Sequence, residues 1–132
     1  MDERPAGATL LIVDDHAAFR ASARALLEAA GYVVVGEAAD GGSAVEAARL
    51  LRPSIVLLDI ALPDIDGFAV CEQITGPAGD GDGDAPVVVL TSSREVSSFR
   101  RRLAGSRARG FIAKRDLTGP ALAALTGSGD GR

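Results

Sequence analysis

Four apolar runs in this chain each stop on a side chain that can bind a cation or an anion. Thr9 to Val13 runs into Asp14-Asp15, Ile55 to Leu58 into Asp59, Val87 to Leu90 into Thr91, and Gly110 to Ala113 into Lys114. Three carboxylates held within a few ångströms repel one another and raise at least one pKa unless a cation joins them. A hard divalent ion is the natural occupant. Magnesium takes a few carboxylate oxygens plus water and leaves room for a phosphate oxygen, so the set suits phosphoryl chemistry. Any one of these residues could be a solvated strand end; all of them at the same relative position argue for a shared site. Of the 14 Lys plus Arg residues, Lys114 is the only lysine. A compact ammonium on a flexible stem reaches into a crowded anionic site where a planar guanidinium does not fit.

The elements that must position these residues follow from the pattern of apolar runs. Phe19, Ala23, Leu26, Leu27 and Ala30 recur at helical spacing, and Gly31 ends that helix. Tyr32 to Gly36 reads as a second strand, and Asp40-Gly41-Gly42-Ser43 as a helix-capping turn. Ala44, Ala47, Ala48 and Leu51 share one face until Arg52-Pro53. A third helix is expected around Phe68 to Ile74, stopped by Gly76-Pro77. Arg94 to Arg109 carries only Val96, Phe99 and Leu103 as a narrow apolar stripe, so its helix is expected to be weakly held. Thr118-Gly119-Pro120 starts a short last helix over Ala121 to Leu125. Continuous apolar strands alternating with helices imply a parallel sheet covered on both faces, and right-handed crossovers make a doubly wound α/β domain. The expected organisation is a tail over 1–8, one domain over 9–126 and a disordered tail over 127–132.

Composition narrows the function. The 132 residues suffice for one domain. A formal charge of -4 argues against nucleic acid as the main partner of this chain alone. Cys71 is the only cysteine, so no intramolecular disulfide forms, and a small buried hydrophobe is its expected role. The start Met1-Asp2-Glu3-Arg4-Pro5 is no signal peptide, and no apolar stretch approaches the roughly 20 residues needed to span a bilayer. A cytoplasmic protein with no membrane partner is expected. The acidic Gly-rich stretch 76–85 superficially resembles a calcium loop. It lacks the closing glutamate and the flanking helices, so a flexible surface connection is expected.

Taken together, Leu11-Ile12-Val13-Asp14-Asp15, Leu57-Leu58-Asp59 with Leu62-Pro63 and Asp66-Gly67, Thr91-Ser92, and Phe111-Ile112-Ala113-Lys114 resemble the response-regulator receiver domains of two-component signalling. The resemblance covers roughly residues 9 to 125. It implies a flavodoxin-like fold with five parallel strands in the order 2-1-3-4-5 and five helices. It further implies that Asp59 is the phosphoacceptor, taking its phosphoryl group from a histidine kinase or phosphotransfer protein. Asp14, Asp15, Asp59 and the Ala61 carbonyl would hold Mg²⁺, with Asp14 acting through water. Thr91, the Ser92 backbone N–H and Lys114 would bind the phosphoryl oxygens, while Thr91 and Phe111 would act as the switch pair. The phosphoryl charge would draw Thr91 in, Phe111 would turn inward, and the face of the fourth helix, fifth strand and fifth helix would change for a downstream protein effector. A second copy of the chain is a further candidate partner. On this resemblance the domain is no enzyme in the usual sense, although it assists its own phosphorylation and dephosphorylation.

The start Asp14-Asp15-His16 with Phe19-Arg20 is similar to the NarL-like branch, whose members carry a C-terminal helix-turn-helix. The alternative function is therefore the receiver half of a DNA-binding transcription regulator lacking that domain. His16 itself is expected to be a partly exposed helix-start residue. An aspartyl phosphatase would need a second Asp two residues after the nucleophile, where Ala61 stands. Departures from the family pattern are Ala61 and Ser93, at positions that tune dephosphorylation, Arg115 where many members have Pro, and a short fifth helix. The arginines at 94, 100, 101, 102, 107 and 109 form a basic segment, with a solvated helix face as the plain reading and an acidic partner or nucleic acid as the other.

Overall fold

Side chains alternate across a strand, and in this protein the alternation divides the core into two layers on either side of one sheet. The computed structural model describes residues 7–76 and 85–127. The strands are β1 (Thr9–Val13), β2 (Val33–Ala38), β3 (Ile55–Asp59), β4 (Val87–Ser92) and β5 (Gly110–Ala113). Between and after them come α1 (Ala17–Ala29), α2 (Gly41–Leu51), α3 (Gly67–Thr75), α4 (Arg100–Ala104) and α5 (Gly119–Thr126). The five strands are parallel in the order β2-β1-β3-β4-β5, as expected. Leu10, Ile12, Ile55, Leu57, Val89 and Ile112 pack with Ala23 and Leu27 of α1 and Leu122 of α5. Leu11, Val13, Val56, Leu58, Val88 and Leu90 pack on the other face with Ala44 of α2, Val70 and Cys71 of α3, and Phe99. Each fully buried Leu among them stabilises the fold by roughly 1.5–3 kcal/mol.

Local chemistry sets the ends of the elements. Asp40 accepts the Ser43 N–H at 2.8 Å, Asp66 that of Phe68 at 2.6 Å, and Thr118 that of Ala121 at 3.0 Å, each capping a helix start. Helix α1 ends before Gly31 at φ +104°, and α2 ends at Arg52, whose φ of +50° is left-handed and is followed by Pro53. A second carboxylate caps α2 from a distant loop. Asp64 accepts the Gly41 and Gly42 N–H groups at 2.7 and 2.9 Å, and those donors hold its carboxyl below the usual range.

Three expectations need correction. Strand β2 runs on past Gly36 to Ala38, because Glu37 and Ala38 pair with Ile12 and Val13. The segment Arg94 to Arg109 is not one weak helix but a 3₁₀ turn over Val96–Phe99 followed by the single turn and a half of α4. Only Phe99 of its apolar stripe is buried, and Val96 is 41% exposed, so little burial supports a longer helix. Leu26 and Leu51, both read as face residues, are 40% and 44% exposed. The Gly-rich connection at 77–84 and the outer parts of both expected tails, 1–6 and 128–132, lie outside the described residues.

The junction from β3 into α3 leaves no room for a side chain. A Cβ on Gly67 would lie 2.5 Å from the Asp59 carbonyl oxygen and 2.6 Å from the Ile60 Cα, both main-chain atoms that cannot rotate away. Gly67→Ala is therefore expected to cost about 1–3 kcal/mol in urea unfolding. Gly42→Ala, whose added carbon meets nothing closer than 3.6 Å, should stay within about 0.5 kcal/mol of the parent in the same measurement.

Candidate functional site

Asp14, Asp59, Thr91 and Lys114 each stand two residues after an apolar side chain of the α1/α5 layer: Ile12, Leu57, Val89 and Ile112. The two-residue period carries them to that side of the sheet, and the parallel strands bring them to one edge. Asp59 and Thr91 are direct partners in the β3–β4 register. The Lys114 Nζ lies 2.6 Å from Asp14 Oδ2 and 3.3 Å from Asp59 Oδ2, and it donates a hydrogen bond to the latter. Its contact with Asp14 is the shorter of the two ion pairs, and both acids are buried. The apolar wall beside the ammonium is Phe19, whose ring centroid is 4.7 Å away.

Around this centre the acids differ in exposure. Asp14 is fully buried and Asp59 is 2% exposed, whereas Asp15 faces solvent. Asp14 Oδ1 accepts the His16 N–H at 2.8 Å, and Asp59 Oδ1 accepts the Ala61 N–H at 3.2 Å. Thr91 is completely buried, yet its Oγ1 has no hydrogen-bond partner. Ser92, also buried, pairs with Ala113 of β5 and accepts the Arg94 N–H on its Oγ at 2.9 Å. One oxygen each of Asp14, Asp15 and Asp59 and a ring nitrogen of His16 fall within 4.8 Å of one another. Such a set of oxygens fits a hard divalent cation.

Residues 10–121 match the response regulator receiver domain family. This chain belongs to that family. A Pseudomonas aeruginosa protein named as a transcriptional regulator is 38% identical over 107 residues, covering 81% of this chain and 49% of that protein. The DNA-binding transcriptional activator EvgA of Escherichia coli is 27% identical over 121 residues, covering 92% and 57%. The chain thus spans about half the length of the curated relatives it matches. A LuxR-family two-component response regulator from Aurantimonas superposes with a TM-score of 0.75 at 30% identity, covering 92% of this chain and 90% of the other. The NarL receiver domain from Mycobacterium tuberculosis gives 0.72 at 29%, covering 93% and 99%. The family is one of phosphoacceptor signalling domains rather than conventional enzymes. No helix among the described residues is long and apolar enough to cross a membrane.

Of the receiver-domain residues read from the sequence, the structure brings Asp14, Asp15, Asp59 and Lys114 together, places Ala61 and Thr91 beside Asp59, and buries Ser92 next to Thr91. Phe111 packs elsewhere, in the layer of α2, α3 and α4, with its ring centroid 5.9 Å from that of Phe99. Its strand partner is Leu90, the neighbour of Thr91 in the chain. Phe99 continues to Phe68 at 6.3 Å, and the Arg102 guanidinium lies 4.3 Å over Phe68 while donating to Asp66 at 2.7 Å. That row of rings and its arginine were not legible as a unit, because the residues are scattered from 66 to 111. His16 is mostly exposed, as expected, but its Nδ1 is 3.0 Å from Asp14 and 3.1 Å from Asp15. All six arginines of the basic segment are exposed, with Arg102 committed to Asp66 and Arg94 set over the Phe99 ring.

Burial pushes the Asp59 carboxyl above its ordinary range, and the charge of Asp14 pushes it further, against the opposing pull of Lys114. For Lys114, burial opposes the charged form, but the Asp14 and Asp59 carboxylates outweigh it and raise the pKa. A carboxyl whose pKa is raised on folding contributes stability below its unfolded pKa and loses it as pH rises through the folded value. Asp59→Asn removes that loss. In EDTA at neutral pH the variant is expected to melt at a higher temperature than the parent, with the gap closing as pH falls toward 4, as differential scanning calorimetry would record. A lower melting temperature for the variant at pH 7 would contradict this electrostatic account.

Proposed function

We propose that this receiver domain is a phosphorylation-activated switch whose phosphoacceptor is Asp59. The observation that carries the reading is the buried, unpartnered Thr91 hydroxyl in register with a buried carboxylate. A buried hydroxyl left without a partner costs about 1–3 kcal/mol. A phosphoryl oxygen on Asp59 supplies the missing partner. In the forward step an Asp59 oxygen attacks the phosphorus of a phosphohistidine, the P–N bond breaks, and the imidazole leaves with a proton from solvent. Lys114 stays within reach of Asp59 and transfers its contact to a phosphoryl oxygen. The Ser92 N–H and Thr91 Oγ1 take further oxygens, which is positioning and charge neutralisation, the main demands of phosphoryl transfer. Asp14, Asp15, Asp59 and the Ala61 carbonyl are the groups that would hold Mg²⁺, which when bound offsets the charge of the incoming phosphoryl group. In this sense the domain assists its own phosphorylation and dephosphorylation.

The output follows from the row of rings. Thr91 moves toward the phosphoryl group, and Phe111, paired with the neighbouring Leu90, shifts against Phe99. The surface of α4, β5 and α5 then presents a different contact to a downstream protein effector or to a second copy of the chain. We place the receiver unit at 9–126, in the cytoplasm. A second reading is favoured by the relatives, of which this chain spans about half the length and which are named as transcriptional regulators. In it, this chain is the receiver portion of a DNA-binding regulator.

Intact-mass analysis after incubation with acetyl phosphate and Mg²⁺ tests the central claim. The parent is expected to gain one phosphoryl group and Asp59→Asn none; equal gain in both would sink it. Thr91→Val separates the hydroxyl from the fold. It should stabilise the unphosphorylated protein by about 1 kcal/mol in urea, accept the phosphoryl group, and lose the phosphorylation-dependent change in amide exchange around Phe111. A full exchange response in that variant would remove Thr91 from the switch.

A further inference from the structure

Arg20 reaches the acidic pair from outside the cluster. Its Nη1 donates to the main-chain carbonyl of Asp14 at 2.6 Å, and its Nε donates to Glu37 Oε1 at 3.0 Å. The other oxygen of Glu37 accepts from Arg24 at 2.8 Å, and Arg24 also donates to Glu28 at 3.2 Å. A line of charges thus runs from α1 across to β2 and back to the turn that follows β1. The Arg20 side chain is only 19% exposed and Glu37 28%, so the central pair is partly shielded from water and salt.

The carbonyl that Arg20 holds belongs to the peptide unit joining Asp14 to Asp15. That unit is planar, so fixing its oxygen fixes where the Asp15 N–H and Cα lie. The remaining groups of Asp14 are already committed: its N–H to the Ala38 carbonyl at 3.0 Å, Oδ1 to the His16 N–H, and Oδ2 to Lys114. By contrast, the only ion-pair partner of Asp15 among the described residues is the exposed His16. Its direction therefore depends on the peptide that precedes it.

We propose that Arg20, braced by Glu37, is a positioning residue that orients the Asp14–Asp15 peptide so that the Asp15 carboxylate faces the cation site. The inference rests on the reading of Asp14, Asp15 and Asp59 as that site. Charge by itself makes the opposite demand. A guanidinium near a bound cation repels it, so removing Arg20 would tighten cation binding if its charge were all that mattered. Groups that orient metal ligands typically contribute 10–100-fold in affinity, which is the larger effect for a contact of this kind.

The test is a Mn²⁺ titration of the full chain, followed by the electron paramagnetic resonance signal of the free ion. The parent should bind Mn²⁺, Asp15→Asn should bind it far more weakly, and Arg20→Met should bind it roughly tenfold more weakly than the parent. Amide exchange in β4 and β5 should be unchanged in Arg20→Met. Equal or tighter binding by that folded variant would overturn the proposal. If Arg20→Met does not fold, Arg20→Lys decides, because it keeps the charge but lacks the planar fork whose Nε and Nη1 hold Glu37 and the carbonyl. Weaker Mn²⁺ binding by Arg20→Lys supports the positioning role, and unchanged affinity overturns it. A parent chain that takes up no Mn²⁺ removes the cation site and the positioning role with it, whereas a parent that binds alongside unaffected Arg20 variants removes only the latter.

Discussion

Two buried carboxylates, Asp14 and Asp59, share one ammonium, and the rest of this protein is arranged so that they can. Burial disfavours the Asp59 charge, and repulsion from Asp14 adds to the cost. Lys114 answers both from a single atom at 2.6 and 3.3 Å. One positive charge against two negative ones, with a third acid at the rim, leaves a net deficit. A divalent cation would offset it.

The sheet fixes the acids and the lysine through main-chain register, while the flanking loops are tied down by side chains from elsewhere. Asp64 fastens the loop after β3 onto the start of α2, and Gly67 lets α3 begin in contact with the Asp59 carbonyl. Arg20 and Glu37 hold the turn after β1. The connections after β1, β2 and β3 are thus braced by polar contacts or by close main-chain approach. The segment after β4 is different: a 3₁₀ turn and a five-residue helix, with Phe99 as its one buried anchor. Apolar burial there is sparse, and exposed ion pairs from Arg102 to Asp66 and from Arg115 to Glu95 supply its other ties.

The four phenylalanines mark the same division. Phe19 lies against the Lys114 ammonium, on the chemical side of the sheet. Phe68, Phe99 and Phe111 form a row on the opposite side, where Arg102 covers one end. Ring contacts and a cation over a ring contribute on the order of 1 kcal/mol each, enough to favour one arrangement without locking it.

Much of this was set by the sequence alone. Apolar runs of strand length, each closing on Asp, Thr or Lys, determined the parallel sheet and marked Asp14, Asp59, Thr91 and Lys114 as residues that meet at its edge, because strand period and polar termination are local properties. The capping residues Asp40, Asp66 and Thr118 were local too, although only Asp40 and Thr118 stood out as helix starts. What only the tertiary structure decided was which distant groups meet. Nothing near Asp64 in sequence indicates that it caps α2, and nothing near Arg20 indicates that Glu37 braces it, since both contacts depend on how neighbouring strands are ordered. The helix after β4 was overestimated for the converse reason: its apolar spacing was helical, but packing leaves only Phe99 covered, and helix length follows burial more than pattern.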